Sequence, residues 1–113
     1  MKMYGIKNCS TVKKAQHFLT ERKINYTFHD VKQLGITEYA IKHWLTQIDW
    51  KTLSNKQGLT WKRLPETIRL EITSEPKAIA LMVAHPTLIK RPVLETANKV
   101  IVGFDETRYN ELL

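Results

Sequence analysis

The sequence holds one cysteine, Cys9, among 113 residues, so no disulfide can form within the chain. A lone thiol suits a reducing compartment. It also constrains any redox cycle: a mixed disulfide at Cys9 has no second thiol in the chain to resolve it, and the resolving thiol must come from a small molecule or another protein. Glycine is sparse, and its four residues lie far apart, which excludes a Gly-rich phosphate loop. His17, His29, His43 and His85 stand at no metal-ligand spacing and have no cysteine partners, so no metal is expected. His85, just ahead of Pro86, reads as a structural residue at a helix end. Asp30, Glu38 and Asp49 show no paired-carboxylate arrangement. No apolar run approaches the roughly 20 residues of a membrane span. The start Met1-Lys2-Met3-Tyr4 lacks the form of a signal peptide, so a cytoplasmic protein with no membrane contact is expected.

What is present fits one globular domain: 42% hydrophobic and 26% charged residues in a chain long enough for a single core. The net charge of +7 favours anionic partners. Its basic residues come as scattered pairs, Lys13-Lys14, Arg22-Lys23, Lys62-Arg63 and Lys90-Arg91, without a long basic run. Trp44, Trp50 and Trp61 lie near lysines but match no nucleic-acid motif, so helix packing is their simpler role and nucleic acid is not an expected partner.

The organising stretch is Gly5-Ile6-Lys7-Asn8-Cys9-Ser10-Thr11-Val12-Lys13-Lys14. The apolar run Met1, Met3, Tyr4, Ile6 predicts a strand, and Val12, Ala15, Phe18 and Leu19 recur with the spacing of one helix face. Cys9 falls between them, just before a helix that Ser10 or Thr11 caps and that runs to about Arg22. Unpaired N–H groups and the positive end of the helix dipole stabilise a thiolate at such a place. The first turn carries Lys13 and Lys14 where acidic residues are usual, a conflict that a thiolate or a bound anion would turn into attraction. A free cysteine is often a small buried hydrophobe. Here the position before a helix, polar neighbours on both sides and the nearby Lys7, Lys13 and Lys14 favour chemistry.

Further along, Ile24, Tyr26 and Phe28 alternate with polar residues and predict a second strand reaching Val31, parallel to the first through a right-handed crossover. Thr37 caps a helix with buried Ile41, Trp44, Leu45 and Ile48. Gly58 interrupts the following stretch, Pro65 opens a new helical turn as its first residue, and Leu64, Ile68 and Ile72 form an apolar row. Ser74-Glu75-Pro76 starts another helix carrying Ile79, Met82 and Val83, which stops ahead of Pro86. Val93 to Thr96 and Val100 to Val102 form a hairpin, and Asp105 caps a last short helix. The expected class is α/β, with a thioredoxin-like core at 1–36 and 86–113 and an all-helical insertion at 37–85.

Tyr4-Gly5-Ile6-Lys7-Asn8-Cys9 followed by Lys13-Lys14-Ala15, together with His85-Pro86-Thr87-Leu88-Ile89-Lys90-Arg91-Pro92-Val93, resembles the arsenate reductase (ArsC) and Spx superfamily, and within it the YffB-like branch. The resemblance extends to Gly58-Leu59-Thr60-Trp61 and Val102-Gly103-Phe104. It implies a thioredoxin-like fold with a mixed four-stranded sheet, a nucleophilic Cys9, and Arg91 followed by a cis-proline, Pro92, facing the thiol. Arg91 would offer a fixed, always-charged fork to a carboxylate or oxyanion. Lys7, Asn8, Ser10, Thr11 and Lys13 would complete a substrate-binding collar, with the N–H groups of Ser10 and Thr11 holding a developing anion.

Two departures narrow the reading. The further arginines of the family's arsenate reductases are replaced at the corresponding places by Asn55 and Gly103, which removes much of the charge compensation for arsenate. The second thiol of a Cys-x-x-Cys switch, as in some Spx regulators, is replaced by Val12. The branch resembled implies a glutathione-dependent monothiol oxidoreductase, with glutathione as co-substrate and a glutaredoxin or thioredoxin as the other candidate resolving partner; a monomer with no tightly bound cofactor is expected. The alternatives are an Spx-like regulator that binds RNA polymerase or another acidic partner, and an arsenate reductase.

Overall fold

In the computed structural model, which describes residues 1–112, the elements in chain order are β1 (Lys2–Gly5), α1 (Ser10–Glu21), β2 (Thr27–Asp30), α2 (Val31–Leu34), α3 (Glu38–Trp44), α4 (Trp50–Leu53), α5 (Leu59–Arg63), α6 (Glu66–Leu70), α7 (Glu75–Ala84), a 3₁₀ turn (Pro86–Leu88), β3 (Val93–Glu95), β4 (Val100–Val102) and α8 (Glu106–Asn110). The chain divides into two compact units, one of residues 1–34 and 91–113, the other of residues 35–90.

The first unit holds a mixed four-stranded sheet in the order β2-β1-β3-β4. β1 pairs in parallel with β2, which requires the crossover that α1 supplies, and antiparallel with β3, which continues into the β3–β4 hairpin. Register places Met3, Leu94 and Ile101 side by side, and these meet Val12, Ala15, Phe18 and Leu19 of α1 and Tyr109 of α8 in one buried cluster. Phe18, Phe104 and Tyr109 pack edge to face, with ring centroids 4.9–5.8 Å apart, the arrangement favoured by aromatic quadrupoles. The thioredoxin-like architecture expected of the sequence is present in this unit.

Two boundaries differ from the sequence reading. β2 begins only at Thr27, so Ile24 and Tyr26 pack against the core from the loop before it. It ends at Asp30 instead of running on to Val31, because the buried Asp30 carboxylate accepts the N–H groups of Lys32 at 2.9 Å and Gln33 at 3.2 Å and turns the chain into α2.

The second unit is helical. Thr37 caps α3 by accepting the Ala40 N–H at 3.1 Å, and Asp49 caps α4 by accepting that of Lys51 at 2.7 Å. Ile41 and Trp44 are fully buried, whereas α3 ends before Leu45 and Ile48, which are half-buried. Pro65 is the N-cap of α6 rather than its first residue, and only Leu64 of the apolar row Leu64, Ile68, Ile72 is buried. α7 buries Ala78, Ile79, Leu81 and Met82 but leaves Val83 exposed, and it stops at His85, ahead of Pro86. His85 itself is exposed.

Candidate active site around Cys9

β1 ends at Gly5 and α1 begins at Ser10, so the loop between them delivers Cys9 to the start of the helix. The sequence reading put the cap one or two residues later. Cys9 is itself the N-cap, with extended backbone (φ −142°, ψ 121°), and its carbonyl accepts the Lys13 N–H at 3.0 Å as the first helical bond. Ser10 therefore occupies the first helical position, and the orphan N–H groups that face a cap side chain are those of Thr11 and Val12. The neutral thiol makes no capping hydrogen bond, in keeping with the weakness of sulfur as an acceptor.

The ionised sulfur fares differently. Burial by itself raises the Cys9 pKa, but the N–H of Val12, the hydrogen-bonding guanidinium of Arg91, the N–H of Thr11 and the charge of Arg91 together outweigh it and lower the pKa below its ordinary value. Cys9 is half-buried, with a face left to solvent. The arrangement is that of a thiolate held by two backbone donors and one fixed cation, which is the setting of a nucleophilic sulfur.

Arg91 arrives from the other end of the unit. The Arg91–Pro92 peptide bond is cis, the isomer the resemblance implies, and Pro92 is buried, its carbonyl accepting the Gly103 N–H at 2.8 Å. β3 follows at once and pairs with β1, so the arginine and the cysteine are carried by elements joined in one sheet.

Of the residues read as a collar, the structure brings Thr11 and Arg91 to the sulfur. Lys7, Asn8, Ser10 and Lys13 flank it along the chain with exposed side chains. The groups that lower the thiol's pKa are the Val12 and Thr11 N–H groups and Arg91, and Lys7, Lys13 and Lys14 stand further out with exposed side chains. Exposed ammonium groups on flexible stems are screened by solvent, whereas the Arg91 side chain is half-buried and hydrogen-bonds the sulfur. The anion-holding N–H pair is shifted by one residue, from Ser10 and Thr11 to Thr11 and Val12. Val12 was legible only as a core residue; recognising Cys9 as the cap would have identified its N–H as the third-position donor.

Among the described residues no group of three His, Cys, Asp or Glu side chains could hold a metal ion, and no helix is long and apolar enough to cross a membrane.

The profile of the ArsC family matches residues 4–112. The chain belongs to the ArsC family. A solved structure named YFFB protein is 42% identical, superposes with a TM-score of 0.92, and is matched over 97% of this chain and 96% of its own. A protein of Haemophilus influenzae described as uncharacterized is 36% identical over 107 residues, 95% of this chain and 93% of the relative. More distant is a global transcriptional regulator, Spx, of Streptococcus pneumoniae, 22% identical over 108 residues, 94% of this chain and 80% of the relative.

Proposed function

We propose that this ArsC-family protein is a monothiol oxidoreductase that reduces glutathione mixed disulfides in a reducing, cytoplasmic setting. The observation that supports it is the convergence of the Val12 and Thr11 N–H groups and the Arg91 guanidinium on one half-buried sulfur. In the first step the Cys9 thiolate attacks the glutathione sulfur of a substrate disulfide RS–SG, forming Cys9–S–SG and releasing RS⁻, which takes a proton from water. In the second, a glutathione thiolate attacks the glutathione sulfur of Cys9–S–SG, releasing the Cys9 thiolate and oxidised glutathione. One disulfide is reduced, one is formed, and no second cysteine of the chain takes part. Arg91 stabilises Cys9 as nucleophile in the first step and as leaving group in the second, because the same anion is present at both points. Arg91 and the exposed Lys7, Asn8, Ser10 and Lys13 offer the contacts for glutathione's carboxylates. A glutaredoxin or thioredoxin thiol could replace glutathione in the second step with the same balance.

The test is mass spectrometry of the reduced protein after exposure to oxidised glutathione near pH 7, coupled to alkylation across pH. A single adduct at Cys9 and an alkylation midpoint below that of an ordinary thiol are expected. No adduct together with an unshifted midpoint would dismiss the reading.

The Spx relative favours a second reading, a regulatory module that docks RNA polymerase or another acidic partner through the chain's basic surface. Capture of polymerase that survives Cys9→Ser would support it over the enzyme. Arsenate reduction has the least support. Gly103, where the family's arsenate reductases have an arginine, adopts φ +77°, a conformation that costs an L-residue about 1–2 kcal/mol. An arsenate-dependent, NADPH-coupled assay with glutathione and glutaredoxin separates this activity from the first.

A further inference from the structure

The helical unit carries a second basic concavity that owes nothing to Cys9. Lys51, Lys56 and Lys90 line an open basin of about 540 Å³ with Asn55 and Gln57, and no carboxylate lines it. Asp49, two residues before Lys51, caps α4 by accepting the Lys51 N–H at 2.7 Å and does not line the basin. All three lysine side chains are exposed and no salt bridge between described residues engages them. Three ammonium groups facing one basin whose lining holds no carboxylate give it a positive field that a multivalent anion would answer.

The floor of the basin is fixed. The Asn55 N–H donates to the Leu88 carbonyl at 2.7 Å and the Lys90 N–H to the Leu53 carbonyl at 2.8 Å, on either side of an antiparallel bridge between Ser54 and Ile89. The Ser54 hydroxyl donates to the Trp50 carbonyl at 2.9 Å, and the Asn55 side-chain oxygen accepts the Gln57 N–H at 3.1 Å. The segment bearing Lys51 and Lys56 is thereby tied to the segment bearing Lys90, and the spacing of their stems is set before any ligand arrives.

Two of the tryptophans stand beside this basin. Trp44 is fully buried, in line with a packing role, but Trp50 and Trp61 are half-exposed. The Lys56 ammonium lies 6.0 Å from the Trp50 ring centroid and 5.3 Å from that of Trp61, and the Lys51 ammonium lies 5.6 Å from Trp50. The indole faces offer these cations a negative potential, a weak substitute for a multivalent anion. If Lys56 turned towards a phosphate in the basin, an indole face would be freed for a flat ring, and base-on-aromatic stacking beside lysine-held phosphates is how nucleotides are gripped without sequence preference.

We propose that the Lys51, Lys56, Lys90 basin, with Trp50 and Trp61 beside it, is a binding site for an oligophosphate-bearing ligand. The chemistry needed is two or more adjacent phosphate charges; an inorganic chain and a nucleotide di- or triphosphate both provide it.

Trp44 is fully buried, so a change in tryptophan fluorescence of the whole, reduced chain on ligand addition is read at the half-exposed Trp50 and Trp61. Tripolyphosphate and ATP are titrated separately at constant ionic strength, against sodium chloride alone. A saturable change with both ligands, absent with chloride, is expected. Equal affinities would assign the site to phosphate alone, and at least threefold tighter ATP would add stacking on an indole. The triple variant Lys51→Ala, Lys56→Ala, Lys90→Ala should weaken binding at least tenfold, while Lys32→Ala, Lys77→Ala, Lys99→Ala, which lowers the net charge of +7 by the same three units, should change it less than twofold. All six lysines are exposed, so both variants keep the fold. A lack of saturable binding, or equal weakening in the two triple variants, overturns the proposal.

Discussion

Replacing Gly5 by alanine tests how tightly the thiol's environment depends on the packing of β1 against α1. Gly5 is the last residue of β1, it is buried, and its backbone is not in the left-handed region, so alanine is conformationally admissible there. Space is the obstacle. A Cβ would stand 2.9 Å and 3.2 Å from the two methyl groups of Val12 and 3.4 Å from the Phe28 ring. Val12 cannot rotate aside, since a β-branched residue in a helix is held about 90% in one rotamer, and it is fully buried in the core. The first turn of α1 must therefore shift. Overpacking of this kind costs about 1–3 kcal/mol, and the stiffer unfolded chain returns about 0.4–1 kcal/mol, leaving a net loss of about 0–2.6 kcal/mol. With an unfolding entropy near 2.1 cal/mol/K per residue over 113 residues, each kcal/mol lowers Tm by about 4 °C, so calorimetry should register a fall of up to about 10 °C. The same shift carries the Val12 N–H away from the sulfur, and the alkylation midpoint of Cys9 should rise. Val12→Ala in the Gly5→Ala background removes both clashing methyl groups, so the two substitutions together should be less damaging than their sum by about 0.5–3 kcal/mol. Additivity within about 0.5 kcal/mol, or a Tm and a thiol titration both unchanged in Gly5→Ala, would refute the reasoning.

Three further outcomes follow from the structure. Arg91→Met removes the guanidinium that helps to lower the thiol's pKa, so the midpoint of iodoacetamide alkylation should rise towards that of a free thiol; an unmoved midpoint would show that the backbone donors alone stabilise the anion. A thiol whose pKa is lower folded than unfolded adds stability as pH rises from the folded value to the unfolded one, about 8.5. The gain is lost as pH falls through the folded value, so denaturant unfolding of wild type and Cys9→Ala should diverge across that window and run parallel above it. Tyr109 is fully buried and its hydroxyl has no hydrogen-bond partner among the described residues, while burial pushes its pKa well above the usual range. Tyr109→Phe should therefore stabilise the protein by about 1 kcal/mol in denaturant titration, and a loss of stability would mean that the hydroxyl is satisfied in solution.

The parts of the fold that were legible are those set by periodicity. Val12, Ala15, Phe18 and Leu19 announced the buried face of α1, and the β3–β4 hairpin followed from two apolar runs about a short turn. Capping residues with strong acceptors, Thr37 and Asp105, also marked true helix starts, Asp105 accepting the Thr107 N–H at 2.9 Å. What escaped was governed by single polar contacts and by tertiary packing. Nothing local says that the Asp30 side chain will stop β2 by bonding Lys32 and Gln33, because an aspartate there reads equally well as a polar strand position. Val83 fits the apolar spacing of α7 and yet stays exposed, since which stripe is buried depends on the neighbours and not on the helix itself.

The same division applies at the candidate site. Cys9 is singled out by its place between strand and helix and Arg91 by family resemblance. The cap was misplaced because Ser10 and Thr11 are much the commoner caps, and a thiol is a poor acceptor while neutral. As a thiolate it becomes an acceptor of full negative charge facing the N–H groups of Thr11 and Val12. The helix start is thus completed only in the ionised state. A helix with no acidic residue in its first turn and with the conventional capping residues displaced inwards leaves its orphan donors to the sulfur. That makes the absence of a better cap part of the means by which the thiol is activated. Placing a stronger neutral acceptor at this position, as Cys9→Ser does, should therefore improve the capping of α1 while abolishing attack on disulfides, so stability near pH 6 and reactivity should move in opposite directions. A serine variant less stable than wild type near pH 6, where the ordinary thiol would be protonated, would show that the donors are not waiting for an acceptor.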